Sequence, residues 1–217
     1  MPDLDFQVLG VDAAVRGLVP LLHFNVEIAN KAPTEKIQSV MLHAQIQIQS
    51  PQRAYTASEK EKLRDLFGRP EDWGQTLRTR LWAHANAIAS GFTDRTQVVL
   101  SVPCTLDLNV AATKYFYALE DGEVPLLFLF SGTIFYCGSD DRLQIERISW
   151  QKEAEYRMPV KAWREIMEHH YPNSAFVWLE RDMFNRLYEF KRQHGFATWE
   201  QAIERLLEAN DETRNPS

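Results

Sequence analysis

The chain has 217 residues, of which 45% are apolar and 25% are charged. These fractions are typical of globular proteins and exclude a mainly disordered chain. The net charge, 24 − 30 = −6, disfavours binding to a nucleic-acid backbone. The longest nearly uncharged apolar run, 124–138, spans about 15 residues, whereas a membrane helix needs about 20. We therefore predict a soluble, cytoplasmic protein without membrane contact, with Cys104 and Cys137 reduced.

Residues 1–155 are predicted to form a β-sandwich domain of about seven strands. Apolar and polar residues alternate with period two over 22–28 and 40–48, which is typical of strands with one buried face. Because the link between these two runs is short, we expect the two strands to pair antiparallel. The other predicted strands are 81–88, 97–102, 105–111, 126–136 and 143–150. Segment 111–119 is compatible with either helix or strand.

A helical insert near 56–75 is predicted within this sandwich. Thr56 and Glu59 have the spacing of a capping box, in which each residue bonds the backbone of the other. Gly68 and Pro70 are expected to end the first helix of the insert.

The apolar period changes to 3.6 from about residue 157, which predicts a helical C-terminal module over 156–210 and a frayed tail over 211–217. Within the module, 175–180 is predicted as a short strand and 181–194 as a helix ended by Gly195. Thr198 is predicted to cap a second amphipathic helix. The expected fold class is α+β: a β-sandwich with a helical insert, followed by a module containing a strand-helix-helix unit.

The strand-helix-helix unit resembles a ribbon-helix-helix DNA-binding unit, whose strands pair between two chains. Its expected outward residues, Phe176 and Trp178, are poorly suited to hydrogen-bonding guanine edges. Residues 173–217 carry 6 Lys/Arg and 8 Asp/Glu, a net charge of 6 − 8 = −2. A DNA-binding regulator is therefore the second hypothesis. Two alternatives to DNA binding are that the unit packs on its own sandwich, or that it forms a strand-paired or helix-paired dimer. Phe176 and Trp178 are candidate interface residues, because exposed aromatic residues beside an apolar strand edge favour association.

A second candidate interface lies in the insert region. Trp73 and Trp82 flank Arg78 and Arg80, and tryptophan with arginine is typical of protein interfaces. The alternative, which we weigh as the stronger, is a core edge with solvated arginines.

No motif in the sequence indicates catalysis, a metal or a cofactor. The HExxH, CxxC and GxSxG patterns do not occur. His23, His43 and His84 lie on predicted strands that one sheet could bring together, but solvated histidines are the expected outcome. We therefore predict no catalytic residue, no metal site and no cofactor.

Three long segments, 59–82, 102–136 and 150–207, carry a family resemblance; they include the motifs GRPEDWGQ, VPCTLDLN and YEFKRQHGF. They resemble a bacterial family of uncharacterised proteins, domain of unknown function 6084, often encoded near nickel–iron hydrogenase genes. The resemblance implies no catalytic residues. It implies an accessory role, such as assembly or maturation of a larger enzyme, with protein partners that include hydrogenase-related ones.

Overall fold

The structure is a computed structural model that describes residues 2–32, 35–105, 110–138 and 142–214. Within these ranges it has eight strands: β1 (Leu4–Ala13), β2 (Leu21–Asn30), β3 (Lys36–Ile48), β4 (Arg80–Phe92), β5 (Arg95–Pro103), β6 (Glu123–Cys137), β7 (Leu143–Arg147) and β8 (Glu153–Pro159). The helices there are α1 (Ala57–Lys62), α2 (Arg64–Phe67), α3 (Trp73–Thr76), α4 (Val110–Ala118), α5 (Val160–His170), α6 (Arg181–Gln193) and α7 (Trp199–Arg214). The chain divides into two compact units, Met1–Ser174 and Ala175–Ser217.

The first unit contains two antiparallel sheets in a sandwich-like arrangement. One sheet has the strand order β1-β2-β5, and the other has the order β4-β3-β6-β7. Strand β6 is 15 residues long. It pairs with β3 along one edge, and its other edge is shared by β8, opposite residues 123–129, and β7, opposite residues 133–137.

The expected pairing of the strands at 22–28 and 40–48 is wrong, because β2 and β3 lie in different sheets. Both strands bury alternate side chains in one core, as Phe24 and Leu42 show. A period of two identifies the buried face of a strand but not its neighbour. A short link can also carry the chain across to a facing sheet, which lies only about 10 Å away.

Aromatic side chains join the two sheets. The rings of Phe6 on β1 and Phe130 on β6 stack at 4.5 Å. Phe24 on β2 meets Phe128 on β6 edge-on at 5.2 Å, and neither side chain is exposed. Such aromatic pairs add stabilisation beyond the area that they bury.

Short helices connect β3 to β4, and the Thr56–Glu59 capping box is present at the start of α1. Segment 111–119 proves to be mostly helix, since α4 buries Ala112, Tyr115 and Phe116 along one side. In the predicted strand 105–111, residues 106–109 lie outside the described residues and 110–111 begin α4.

Strands β1 and β8 are not among the strands expected from the sequence, and the strand expected over 143–150 ends at Arg147. The buried side of α5 contributes Trp163, Ile166 and Met167 to the sandwich core. The expected boundary at 155 is therefore too early, because β8 and α5 both belong to the first unit.

The second unit contains α6 and α7. Residues 175–180, predicted as a strand, pair with no strand in the described part of the chain. Of the tail predicted over 211–217, residues 211–214 continue α7 to Arg214, and residues 215–217 lie outside the described residues. Among the described residues, no helix has both the length and the apolar character needed to cross a membrane.

Candidate functional site

The two tryptophans of the candidate interface, Trp73 on α3 and Trp82 on β4, are core residues. Trp73 and Trp82 are 8% and 7% exposed. Trp82 meets Phe24 edge-on at 6.1 Å and lies 5.0 Å from the ring of Phe116. The alternative of a core edge is therefore correct for both, and they cannot anchor a partner at the surface.

The two arginines between these tryptophans do different things. Arg80 lies with its guanidinium carbon 4.6 Å from the ring centre of Phe67 and donates a hydrogen bond to the Leu66 carbonyl at 3.3 Å. Arg78 is exposed. The four residues Trp73, Arg78, Arg80 and Trp82 therefore do not form one surface patch.

The predicted interface residues of the second unit are accessible. Phe176 is 37% and Trp178 is 70% exposed. Val177, which lies between these two expected outward residues, is 72% exposed, so the alternation of buried and exposed faces expected of a strand does not occur. An extended segment without a ladder has no buried side, because no neighbouring strand gives it one.

The helices of the second unit also expose apolar side chains. No side chain of α6 is buried. Of the described side chains in the second unit, Ala202 is the one buried residue. The exposed large apolar residues are Met183, Phe184, Tyr188, Ile203, Leu206 and Leu207. Helices with a strong apolar face normally bury it, so this surface is a candidate contact site.

Aromatic contacts hold α6 against α7. The ring of Trp199 lies 5.5 Å from Phe184 and 6.1 Å from Tyr188, and the Lys191 ammonium lies 5.6 Å from the Trp199 ring centre. Phe184 and Tyr188 remain 46% and 53% exposed after these contacts. The cluster therefore fixes the helix pair and still presents rigid aromatic surface, which suits protein recognition.

The turn between α6 and α7 is shaped by local hydrogen bonds. Gly195 has a φ of 69°, which ends α6 as predicted. Thr198 Oγ1 accepts from the Gln201 N–H at 3.3 Å, and Gln201 Oε1 accepts from the Ala197 N–H at 2.9 Å. These bonds satisfy backbone groups at the start of α7 and set the direction of that helix.

A buried ion pair in the first unit joins Arg53 to Glu59 on α1. Arg53 donates from Nη1 and Nη2 to the two Glu59 carboxylate oxygens at 3.0 and 2.8 Å. Their side chains are 8% and 2% exposed. Arg53 also donates to the carbonyls of Asp121 and Glu123 at 2.6 and 3.1 Å, so the pair ties the insert to the turn before β6.

The Glu59 carboxylate is held in its ionised form. Burial alone would raise its pKa, but the hydrogen bonds from Arg53 and from the backbone N–H groups of Glu120 and Thr56 lower the pKa to about 2. Glu120 and Arg53 line an adjoining open groove of about 520 Å³. Because these charges are engaged by neighbouring protein groups, the arrangement serves stability and supplies no acid or base near neutral pH.

Two tyrosines extend this polar cluster into the core. The Tyr55 hydroxyl donates to the Ser50 carbonyl at 2.8 Å and lies 2.9 Å from the Tyr115 hydroxyl. Burial raises the pKa of both tyrosines, so both hydroxyls stay protonated and act as hydrogen-bonding groups.

The three strand histidines are not brought together. His23 lies on β2 and contacts the Ser101 hydroxyl at 2.9 Å, whereas His43 on β3 contacts the Asn86 side chain at 2.7 Å. His84 lies on β4, in the same sheet as His43 and in the sheet opposite His23. Across the described ranges, no group of three or more His, Cys, Asp or Glu residues is placed to hold a metal ion.

Sequence reasoning missed the role of Arg53. Glu59 is visible as part of a capping box, but nothing in the spacing marks Arg53 as its partner or places both beside residues 120–123. The partner is set by tertiary packing, which a local motif does not encode.

Comparison with solved structures finds weak likenesses. The CARDB domain of a Pyrococcus furiosus protein, solved in complex with di-metal ions, is 11% identical, with 73% of this chain and 92% of that chain covered and a TM-score of 0.29. A protein described as late embryogenesis abundant is 13% identical, with 73% of each chain covered and a TM-score of 0.31. β-Glucosidase 3B from Thermotoga neapolitana, in complex with α-D-glucose, is 12% identical, with 72% of this chain and 17% of that chain covered and a TM-score of 0.28.

With TM-scores near 0.3, these likenesses carry no inference about function. No curated protein matches the chain. The comparison with protein families, in contrast, finds a match over nearly the whole chain, because one family model matches residues 1–215. The chain belongs to the family of unknown function DUF6084.

Proposed function

We propose that this protein is a non-catalytic, cytoplasmic accessory protein that binds another protein through the apolar faces of α6 and α7. The observation that carries the proposal is the exposure of Tyr188 and Leu207, 53% and 61%, on helices whose apolar residues follow a helical period. Exposed apolar surface of this kind is costly in water and is typical of contact sites.

The size of the second unit supports the same conclusion. Ala175–Ser217 is a short segment, and units this small rarely build a sufficient core without help. Ala202 is the one buried side chain among those described in this unit, so the unit gains little stability from burying apolar surface on its own. Contact with a partner would remove the faces of both helices from water together.

We further propose that the partner is a component of a nickel–iron hydrogenase system. The family resemblance described above supports this choice. The surface suits a partner that offers an apolar groove, because an amphipathic helix binds such a groove through residues spaced three and four apart. Tyr188 with Phe184, and Leu207 with Ile203, have that spacing.

Affinity capture from the native host tests the proposal. We expect the tagged full chain to recover hydrogenase subunits, and Tyr188→Glu and Leu207→Glu each to reduce recovery about tenfold or more. Val99→Glu is the matched control, because Val99 is an exposed apolar residue, at 48%, on β5 of the first unit. Equal recovery with all three variants, or no hydrogenase subunit with the wild-type chain, would reject the proposal.

A mobility-shift assay of the full chain on promoter DNA separates this proposal from DNA binding. A regulator that acts through 175–207 would shift promoter DNA at low salt and lose that shift as salt rises. We expect no such shift. A salt-sensitive shift that is abolished by Arg181→Ala and Arg186→Ala would favour the regulator instead.

A further inference from the structure

Strand β7 has polar side chains on the inner face of its sheet and apolar side chains on the outer face, the reverse of the usual arrangement. Gln144 and Glu146 pair with Tyr136 and Ile134 of β6, which face the core, so both polar residues lie on the inner side of the sheet. Leu143 and Ile145 lie on the outer side and are 63% and 64% exposed. Two neighbouring exposed apolar side chains beside an open sheet edge form a candidate contact surface.

Strand β7 also ends its sheet. One edge pairs with β6, and no strand in the described ranges pairs with the other edge. A sheet edge without a neighbouring strand can accept another strand, and on β7 the Arg147 N–H donates meanwhile to the Glu146 carboxylate at 3.1 Å. The outer apolar residues continue onto β6, where Ile145 lies beside Phe135 and Leu143 beside Cys137.

We propose that two copies of this chain pair antiparallel through β7, with Ile145 on the two-fold axis. Leu143 then lies opposite Arg147 of the partner subunit, and Gln144 lies opposite Glu146 of the partner subunit. The β4-β3-β6-β7 sheets of the two subunits then form one continuous sheet. On its outer face the two Ile145 side chains lie opposite each other, and each Leu143 lies diagonally beside Ile145 of the partner subunit.

Charge and hydrogen bonding favour this register over the one shifted toward the C-terminus. The Tyr136 hydroxyl donates to Gln144 Oε1 at 2.7 Å, so the Gln144 amide nitrogen is the group that can donate to a carboxylate across the axis. Register shifts that keep the outer residues on one face move in steps of two residues. The shift toward the C-terminus sets the two Glu146 carboxylates opposite each other, which like-charge repulsion disfavours.

The interface is short, because β7 has five residues. We therefore infer a modest, concentration-dependent dimer rather than an obligate one. This dimer involves residues of the first unit and does not depend on the proposed partner contact of α6 and α7. The two proposals can consequently fail separately.

Sedimentation of the full chain from about 1 to about 100 µM tests the dimer in a range suited to weak association. We expect the mass to rise from 25.2 kDa toward twice that value. Ile145→Lys places two like charges on the axis and is expected to weaken dimerisation about tenfold or more. Val99→Lys, at a 48% exposed position on β5, is the control and is expected to change nothing. A chain that stays monomeric throughout, or a dimer that Ile145→Lys leaves intact, would overturn the proposal.

Opposite substitutions at Gln144 test the register. Gln144→Glu places a carboxylate opposite the Glu146 carboxylate of the partner subunit and is expected to weaken the dimer, whereas Gln144→Arg creates an ion pair and is expected to tighten it.

Disulfide cross-linking is a second test of the register. In a Cys137→Ser background, Ile145→Cys is expected to form a disulfide-linked dimer under mild oxidation and Leu143→Cys is not, because only residue 145 faces itself. A shift of the same sign for both Gln144 variants, or equal cross-linking at 143 and 145, would contradict this register. Unchanged melting temperatures show that each variant is folded.

Discussion

Glu59 accepts hydrogen bonds from both terminal nitrogens of Arg53, at 3.0 and 2.8 Å, and its side chain is 2% exposed. The same carboxylate accepts from the backbone N–H groups of Glu120 and Thr56, at 2.8 and 3.0 Å. One side chain therefore caps α1 and joins it to the turn before β6. Because a carboxylate in such a position has no water to replace lost partners, its substitution is a direct measure of what the insert contributes to stability.

Replacing Glu59 with Gln keeps the shape of the side chain and removes its charge. We expect a loss of about 3 kcal/mol in the free energy of unfolding, because Arg53 is left as a buried charge without its counter-ion. Urea denaturation measures the loss. Glu61→Gln is the matched control, since Glu61 is 71% exposed in its pair with Arg64 and is expected to cost less than about 0.5 kcal/mol. Equal losses for the two variants would contradict the assignment.

Acid should weaken the wild-type protein through the same carboxylate. The pKa of Glu59 falls from 4.5 to about 2 on folding, so its contribution is complete above pH 4.5 and is lost as the pH falls toward 2. We expect the difference in unfolding free energy between the wild type and Glu59→Gln to be constant from pH 7 to about pH 5 and to shrink below that. A difference in unfolding free energy that grows in acid would show that folding does not lower the pKa of Glu59.

Gly132 on β6 is a position where a side chain has no room. Its φ is 141°, and a Cβ there would lie 2.0 Å from the carbonyl oxygen of Met41. We expect Gly132→Ala to destabilise the protein by more than about 2 kcal/mol, because the clash is with backbone that cannot move aside. Gly10→Ala is the control, since no atom lies within 4 Å of its added Cβ. Thermal unfolding measures both variants, and we expect the lower melting temperature for Gly132→Ala. Equal melting temperatures would contradict the close packing at Gly132.

The boundary between the units can be tested by truncation. A chain that ends at Ser174 keeps α5, whose Trp163 and Ile166 lie in the sandwich core, so we expect it to unfold cooperatively. A chain that ends at residue 155 loses α5 and most of β8 and is expected to be insoluble or unfolded. Circular dichroism with thermal melting compares the two, and a folded 1–155 fragment would contradict the assignment of α5 to the first unit.

The sequence pattern predicts individual elements better than their neighbours. The alternation in β2 and β3 identifies both strands and their buried faces, but a period of two says nothing about which strand lies beside which. The pattern does not indicate β8 because this strand comes directly before α5, and its last residues, up to Pro159, lie inside the segment where a helical period is expected.

The candidate site shows the same limit. Composition alone does not separate Trp82, which is buried against Phe24 and Phe116, from Trp178, which is 70% exposed. Both stand in apolar segments that also read as possible contact surfaces. Burial depends on what the rest of the fold brings opposite each side chain, and that information is tertiary.

Hydrogen exchange on the captured complex tests most directly whether α6 and α7 are the contact surface. We predict that binding of the proposed hydrogenase component slows exchange of amides in 181–214 and that Tyr188→Glu removes this protection, because contact with a partner would order the helix pair. Protection confined to residues 2–174, with 181–214 unchanged, would contradict the account.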